Sequence, residues 1–241
     1  MVITPSGSAI DNPSGGSSVV IPSSVPRPNT KRWAYFVADG TAGLPAVNMI
    51  GDKASSTGTG TTSGAAATTT LPTRITLATA ATTSGATNFS ANAASYVFGR
   101  NLRLQTYERL VTYTAIRLFM GITDSDLHLQ TTANPTGNYA IFRADKSVPD
   151  TNYQCITKDG TTQNVIDSGV AIDTNFHRFE IICNDSVPNV KFYIDGNLVA
   201  TSIVHTPTAA ALGFFQICSN KTSGSVAENQ EIAWLYIESD F

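Results

Sequence analysis

Carboxylates, imidazoles and thiols are sparse in this sequence, and the places where they gather are few. Asp124-Ser125-Asp126 sets two carboxylates at i and i+2. It follows an apolar run and precedes turn residues, so turn chemistry is its expected role, with an oxygen-ligand cation site as the alternative. Glu228, Glu231 and Glu238 lie near the C-terminus. Retaining glycoside hydrolysis would need two such carboxyls about 5–5.5 Å apart. Spacings of three and seven put neighbouring members on opposite faces of a regular strand, so these glutamates are expected on solvated strand edges. His177, Arg178 and Glu180 are close in sequence, and Arg178 and Glu180 share a strand face. Beside Lys191 and Tyr193 of the next strand they read as an outward face with cross-strand charge pairing, worth about 0.2–1 kcal/mol per pair.

His128 and His205 stand alone, and nothing completes a zinc triad. No serine nucleophile elbow or phosphate-cradling glycine motif is present. No catalytic set, metal or cofactor is therefore expected. The three cysteines, Cys155, Cys183 and Cys218, lack paired ligand spacing and each falls in an expected strand, where a free thiol packs as a small hydrophobe. A Cys183–Cys218 bridge would require neighbouring strands. Trp33, Tyr193, Trp234 and Tyr236 are the aromatics able to stack on sugar rings. Trp234 and Tyr236 alternate with Leu235 and Ile237, so packing in the core or against another subunit is the competing fate.

The elements that would position these groups are strands. In the stretch NFHRFEIICNDSVPNVKFYIDGNLVAT, residues 175–201, Phe179, Ile181 and Cys183 alternate with Arg178 and Glu180. Val190, Phe192 and Ile194 alternate with Lys191, Tyr193 and Asp195 in the same way, which is the strand period of two. Asp195-Gly196 closes a tight hairpin, because a primed turn needs the positive φ that Gly supplies freely and Asp tolerates. Asp159-Gly160 marks a second hairpin. Further strands are expected at 33–38, 74–78, 96–100, 102–107, 112–122, 139–143, 153–158, 162–166, 212–218 and 231–238. The one helical candidate is a turn or two at 106–111. Many short strands at this spacing make an all-β, antiparallel two-sheet sandwich or jelly roll.

Residues 1–32 carry Pro5, Pro13, Pro22, Pro26 and Pro28 among Ser and Gly. This composition cannot bury enough apolar area to fold alone and reads as an extended arm laid on a partner. Val19, Val20 and Ile21 are its one short apolar run, expected to add to another surface. Residues 33–241 then form the sandwich. Within it KASSTGTGTTSGAAATTT, residues 53–70, is too small and polar for a core strand and reads as a surface excursion.

Charged residues make up 14% of the 241-residue chain, against roughly 25% in ordinary soluble domains. The polar surface must come from Ser, Thr, Asn and Gln, as on particles and cell exteriors. A net charge of −3 with scattered Lys and Arg offers no basic stripe for nucleic acid. No run of about 18 apolar residues exists for a membrane span, and the N-terminal residues lack the basic and apolar regions of a signal peptide.

The ordered series RLFMGITD (117–124), NYAIFR (138–143), DTNYQCITKDG (150–160), the hairpin of 177–201 and WLYIE (234–238) resembles a domain recurrent in tailed-bacteriophage virion structural proteins, a concanavalin A-like lectin/glucanase jelly roll. The resemblance covers roughly residues 73–241. It implies a virion-surface protein made in the host cytoplasm without a signal peptide, an exposed capsid decoration, cement or appendage protein. Its arm would bind capsid or tail proteins, and its copies would associate as a homo-oligomer such as a trimer. The alternative it implies is a tail-associated receptor-binding module for host surface glycans, and a less favoured one is a glycan-cleaving enzyme. Glucanases of this fold carry Glu-x-Asp-x-x-Glu or a variant on one strand, and no segment here has that pattern. The expectation is a protein that is not an enzyme.

Overall fold

The structure, a computed structural model, describes residues 31–37 and 54–240 apart from 83, 92–93, 129, 184–188 and 225. The expected arm, with Val19, Val20 and Ile21, lies outside the described residues. In chain order the strands are β1 Lys31–Val37, β2 Ala54–Gly58, β3 Thr61–Ala65, β4 Arg74–Ala78, β5 Ala86–Ala91, β6 Tyr96–Val97, β7 Leu102–Leu110 and β8 Ile116–Thr123. They continue as β9 Gly137–Asp145, β10 Asn152–Gly160, β11 Gln163–Ala171, β12 His177–Cys183, β13 Val190–Ile194, β14 Asn197–Ser202, β15 Leu212–Lys221 and β16 Asn229–Asp240.

These strands form two antiparallel sheets. The first runs β14-β13-β12-β7-β16-β4-β3, with β1 also paired to β16, and the second runs β11-β10-β9-β8-β15-β5-β2, with β6 on β15. The expected two-sheet jelly-roll sandwich is therefore the fold. Alternation explains its core: Val190, Phe192 and Ile194 turn inward from β13, and Leu102, Leu104 and Leu110 from β7, all buried. Phe142 of the second sheet ties the layers together, meeting Phe179 and Phe192 of the first edge-on at centroid distances of 5.1 and 5.2 Å. Edge-to-face pairs of this kind add about 0.5–1.5 kcal/mol beyond the burial of their area.

A carboxyl group sits between the sheets. Glu108 points inward from β7, where Gln230 donates to its Oε1 at 3.0 Å and Thr106 Oγ1 lies 3.3 Å from its Oε2. The Thr106 hydroxyl donates to Trp234 O at 3.1 Å, which leaves its oxygen to accept from a protonated Glu108. Burial pushes the Glu108 carboxyl up to about 8, against the hydrogen bonds from Gln230 and Thr106.

The structure corrects several sequence expectations. Residues 106–111 do not form a helix, because Thr106 to Leu110 belong to β7 and continue its in–out alternation. Residues with good helix propensity are held as a strand by ladders on both sides, to β12 and β16. The segment 53–70 is not a plain excursion either. Its residues supply β2 to the second sheet and β3 to the first, at the end of each. An edge ladder needs backbone groups rather than large apolar side chains, which is why small polar residues suffice. The chain crosses between sheets at Thr59-Gly60, where a Cβ on Gly60 would stand 2.1 Å from Ala78 O. β5, ATNFSA, was not expected, and the 96–100 strand shrinks to two residues.

Both hairpins form. Asp195 and Gly196 take φ of 52° and 84°, the primed-turn geometry the sequence calls for. At the second hairpin Gly160 has φ 89°, and Asp159 Oδ1 accepts from the Thr161 and Thr162 amides. The three cysteines are free and buried. A Cys183–Cys218 bridge does not form, since Cys183 packs in the core between the sheets and Cys218 in a separate cluster with Leu127.

Candidate functional site

The two outer faces of the sandwich differ. On the second sheet the described residues of the β8–β9 connection, 124–128 and 130–136, lie back across the strands of the sheet. Leu127 anchors this strap, fully buried in a cluster with Phe119, Tyr139, Ile141, Ile156 and Cys218. Side chains of the sheet then bind the strap's main chain. Gln216 Oε1 accepts from Leu127 N at 2.7 Å, and Asn220 donates to Leu127 O at 3.0 Å. Arg117 donates to Gln130 O, Arg143 and Gln163 to Ala133 O, and Lys158 to Pro135 O at 2.7 Å. Two buried ion pairs, Arg117–Asp145 and Arg143–Asp150, lie on the same face.

Asp124-Ser125-Asp126 starts this strap and does turn chemistry, as its position suggests. Asp124 accepts from the Asn138 main-chain and side-chain amides at 2.8 and 2.7 Å. Asp126 Oδ1 accepts from Gln216 Nε2 at 2.6 Å and His128 N at 2.9 Å. His128 is half-buried, and burial lowers its pKa against the opposing pull of Asp126.

On the outer face of the first sheet Tyr107, Phe176 and Trp234 are half-buried and Arg178 is exposed. Arg178 of β12, Tyr107 of β7 and Trp234 of β16 are directly opposite one another in register. With Asp195 they line a shallow depression of about 380 Å³. Tyr107 lies 6.1 Å from Trp234 between centroids with the rings 26° from parallel, and 5.0 Å from Phe176. The Arg109 guanidinium sits 5.1 Å above the Phe176 ring. Three aromatic side chains thus run side by side across the sheet, bordered by charge.

A buried-end clamp holds the Asp195 turn against this row. His177 Nδ1 is 2.6 Å from Asp195 Oδ2 and its Nε2 is 3.0 Å from Asp173 Oδ1. Two carboxylate partners require both ring nitrogens to carry protons, the imidazolium form. Burial disfavours that charge, but Asp195 and Asp173 outweigh it and the His177 pKa is raised. Asp195 Oδ1 meanwhile accepts from the Arg178 main-chain N at 2.9 Å.

The outer-face carboxylates are engaged rather than solvated. Glu228, Glu231 and Glu238 are buried, contrary to the strand-edge expectation. Glu231 pairs with Arg74 and Arg109 at 2.9 and 2.8 Å. Glu228 accepts from the Thr114 and Ala115 amides. Arg103 pairs with Glu180 at 2.7 Å and reaches Glu238 at 3.9 Å. The parity argument for Glu231 and Glu238 fails because β16 carries a bulge between Ile232 and Trp234. The extra residue turns both glutamates to the outer face. Seven residues of strand still separate them by about 20 Å, too far for a hydrolytic pair.

Of the four aromatics singled out in the sequence, Trp234 lies in the depression. Tyr236 is buried, its hydroxyl donating to Glu238 Oε2 at 2.8 Å. Tyr193 is half-buried, opposite Glu180 across the β12–β13 ladder. Trp33 pairs with Glu238 in the β1–β16 ladder, and its side chain is outside the described residues. Sequence reading missed Tyr107 and Phe176. Tyr107 could have been found by treating 102–110 as one alternating strand, since it falls on the face opposite the leucines.

This fold is that of the concanavalin A-like lectins and glucanases. No family model matches the chain, and no curated protein matches it significantly. Solved structures do. A protein of unknown function from Shewanella oneidensis MR-1 aligns at a TM-score of 0.60 and 10% identity, covering 88% of this chain and 87% of that one. The Emp47p carbohydrate recognition domain aligns at 0.56 and 8% identity, covering 87% and 95%. Rv0315 of Mycobacterium tuberculosis, described as an immunostimulatory antigen and pseudo beta-1,3-glucanase, aligns at 0.53 and 9%, covering 71% and 78%.

Proposed function

We propose that this protein is a non-enzymatic glycan-recognition module whose binding surface is the Phe176–Tyr107–Trp234 row on the outer face of the first sheet. The row carries the reading. Aromatic rings side by side on a rigid sheet offer stacking surface to the apolar faces of sugar rings, and Arg178 and Asp195 at its border offer hydrogen bonds to hydroxyls. The Emp47p domain, a carbohydrate recognition domain of the same fold, is in keeping with it. Absence of enzymatic activity is supported by the commitment of Glu180, Glu231 and Glu238 to arginines. The strap's cover over the second sheet supports it too.

Binding to an immobilised glycan panel tests the module. Retention that is lost in Trp234→Ala and Tyr107→Ala variants of unchanged melting temperature is the expected result. A blank panel, or release of reducing ends from a bound polysaccharide, overturns it.

The finer reading puts the module on the surface of a tailed-phage virion, as a decoration or appendage protein attached through residues 1–32 and associated as an oligomer. The ordered sequence segments from 117 to 238 favour it. Deleting residues 1–30 should leave a folded sandwich that no longer joins particles. Normal incorporation of that truncation would sink the idea.

A further inference from the structure

The geometry points to a carboxylate-bearing saccharide, a uronate or sialate type of sugar, as the ligand of the aromatic row, with Arg178 as the residue that reads the acid group. This rests on the glycan reading above and narrows it to a ligand class. Arg178 is exposed, and among the described residues its guanidinium has no ion pair or hydrogen bond, only the Gly196 turn beneath it. A Cβ at Gly196 would come 2.8 Å from Nη2, so the glycine leaves the guanidinium its place beside the depression.

The other arginines flanking this row are already neutralised. Arg103 is paired with Glu180 and Glu238, and Arg109 with Glu231. Asp195, which lines the depression with Arg178, is drawn elsewhere, to His177 on one oxygen and the Arg178 main-chain N on the other. The His177 imidazolium, which it shares with Asp173, holds Asp195 Oδ2 at 2.6 Å, so Asp195 makes no ion pair with the Arg178 guanidinium. Lys191, half-buried on the neighbouring strand, has no carboxylate partner among the described residues and adds to the positive side. A planar guanidinium donates two parallel N–H groups, which match a carboxylate in a way no hydroxyl can. With Trp234 and Tyr107 beside it, the acid group and the ring carrying it are read together.

The test is a glycan panel in which each uronate- or sialate-bearing oligosaccharide is displayed beside its carboxyl-reduced counterpart, probed with the full chain at about 50 mM salt, where charge contacts are little screened. The wild type should retain an acidic member at least tenfold more strongly than its reduced counterpart. Arg178→Gln should bring that ratio close to one, whereas Arg178→Lys should keep part of it. Trp234→Ala should weaken both members together. Equal retention of acidic and reduced members by the wild type, or an acid preference that survives Arg178→Gln, overturns the acidic assignment while leaving glycan recognition standing. No retention of any member overturns both.

Discussion

Tyr107 and Trp234 face each other across β7 and β16 because a bulge at Ala233 resets the alternation of β16. Before the bulge Glu231 points outward to Arg109, and after it Trp234, Tyr236 and Glu238 do, while Leu235 and Ile237 enter the core. A regular strand could satisfy only one of these halves. Deleting Ala233 should therefore flip one half of β16 and either bury charge or expose Leu235 and Ile237. The expected loss exceeds about 3 kcal/mol in urea unfolding, against about 1 kcal/mol for Ala233→Gly. A deletion variant as stable as the wild type would show the bulge to be incidental.

His177 makes stability near neutrality depend on pH. Its charged form is favoured by Asp195 and Asp173, while Tyr153 and Phe179 pack against the ring and Glu108 lies opposite His177 in the β7 register. Because the folded pKa is raised, the stabilisation is fully present below the unfolded value of about 6.5 and fades as pH rises through the folded value. His177→Gln should cost about 1–2 kcal/mol at pH 5.5, since both aspartates are partly exposed and solvent screens them. The cost should shrink as pH rises, and thermal melts across pH 5.5–8.5 would show it.

Glu108 acts over a different window with the same sign. Protonated when folded up to about 8 and ionised above about 4.5 when unfolded, it makes the native state bind more protons, so stability falls as pH rises between those values. Glu108→Gln preserves a donor to Thr106 and an acceptor for Gln230, and should flatten that slope. An unchanged slope in the variant would mean that Glu108 does not titrate as its burial requires.

The strap should behave as a lock separate from the binding row. Leu127→Ala removes a fully buried apolar anchor of the strap and should cost about 2–5 kcal/mol or release the segment. Cleavage by a nonspecific protease within residues 124–136 should rise sharply in the variant. Glycan retention should persist, because sites on opposite sheets with no shared partners act independently.

The sequence by itself determined the class of fold. Alternation of Val190, Phe192 and Ile194 against Lys191 and Tyr193, and the Asp195-Gly196 turn, follow from a local period and a local φ requirement, which neighbouring residues carry in full. It also marked Trp234 as an aromatic to watch. Strands β2 and β3 were hidden because an edge ladder is held by backbone groups, which every residue has, and β5 because its small and polar residues, ATNFSA, carry no in–out alternation although all are buried. The composition of Glu231 and Glu238 gave no sign of a bulge between them. Only the tertiary structure placed Tyr107, Phe176 and Trp234 in one row and left the Arg178 guanidinium beside them without a partner among the described residues. It alone laid the strap over the second sheet. Among these relationships, that of Tyr107 and Trp234 joins residues more than a hundred apart in the chain. Cross-strand register, which no local pattern encodes, decides them.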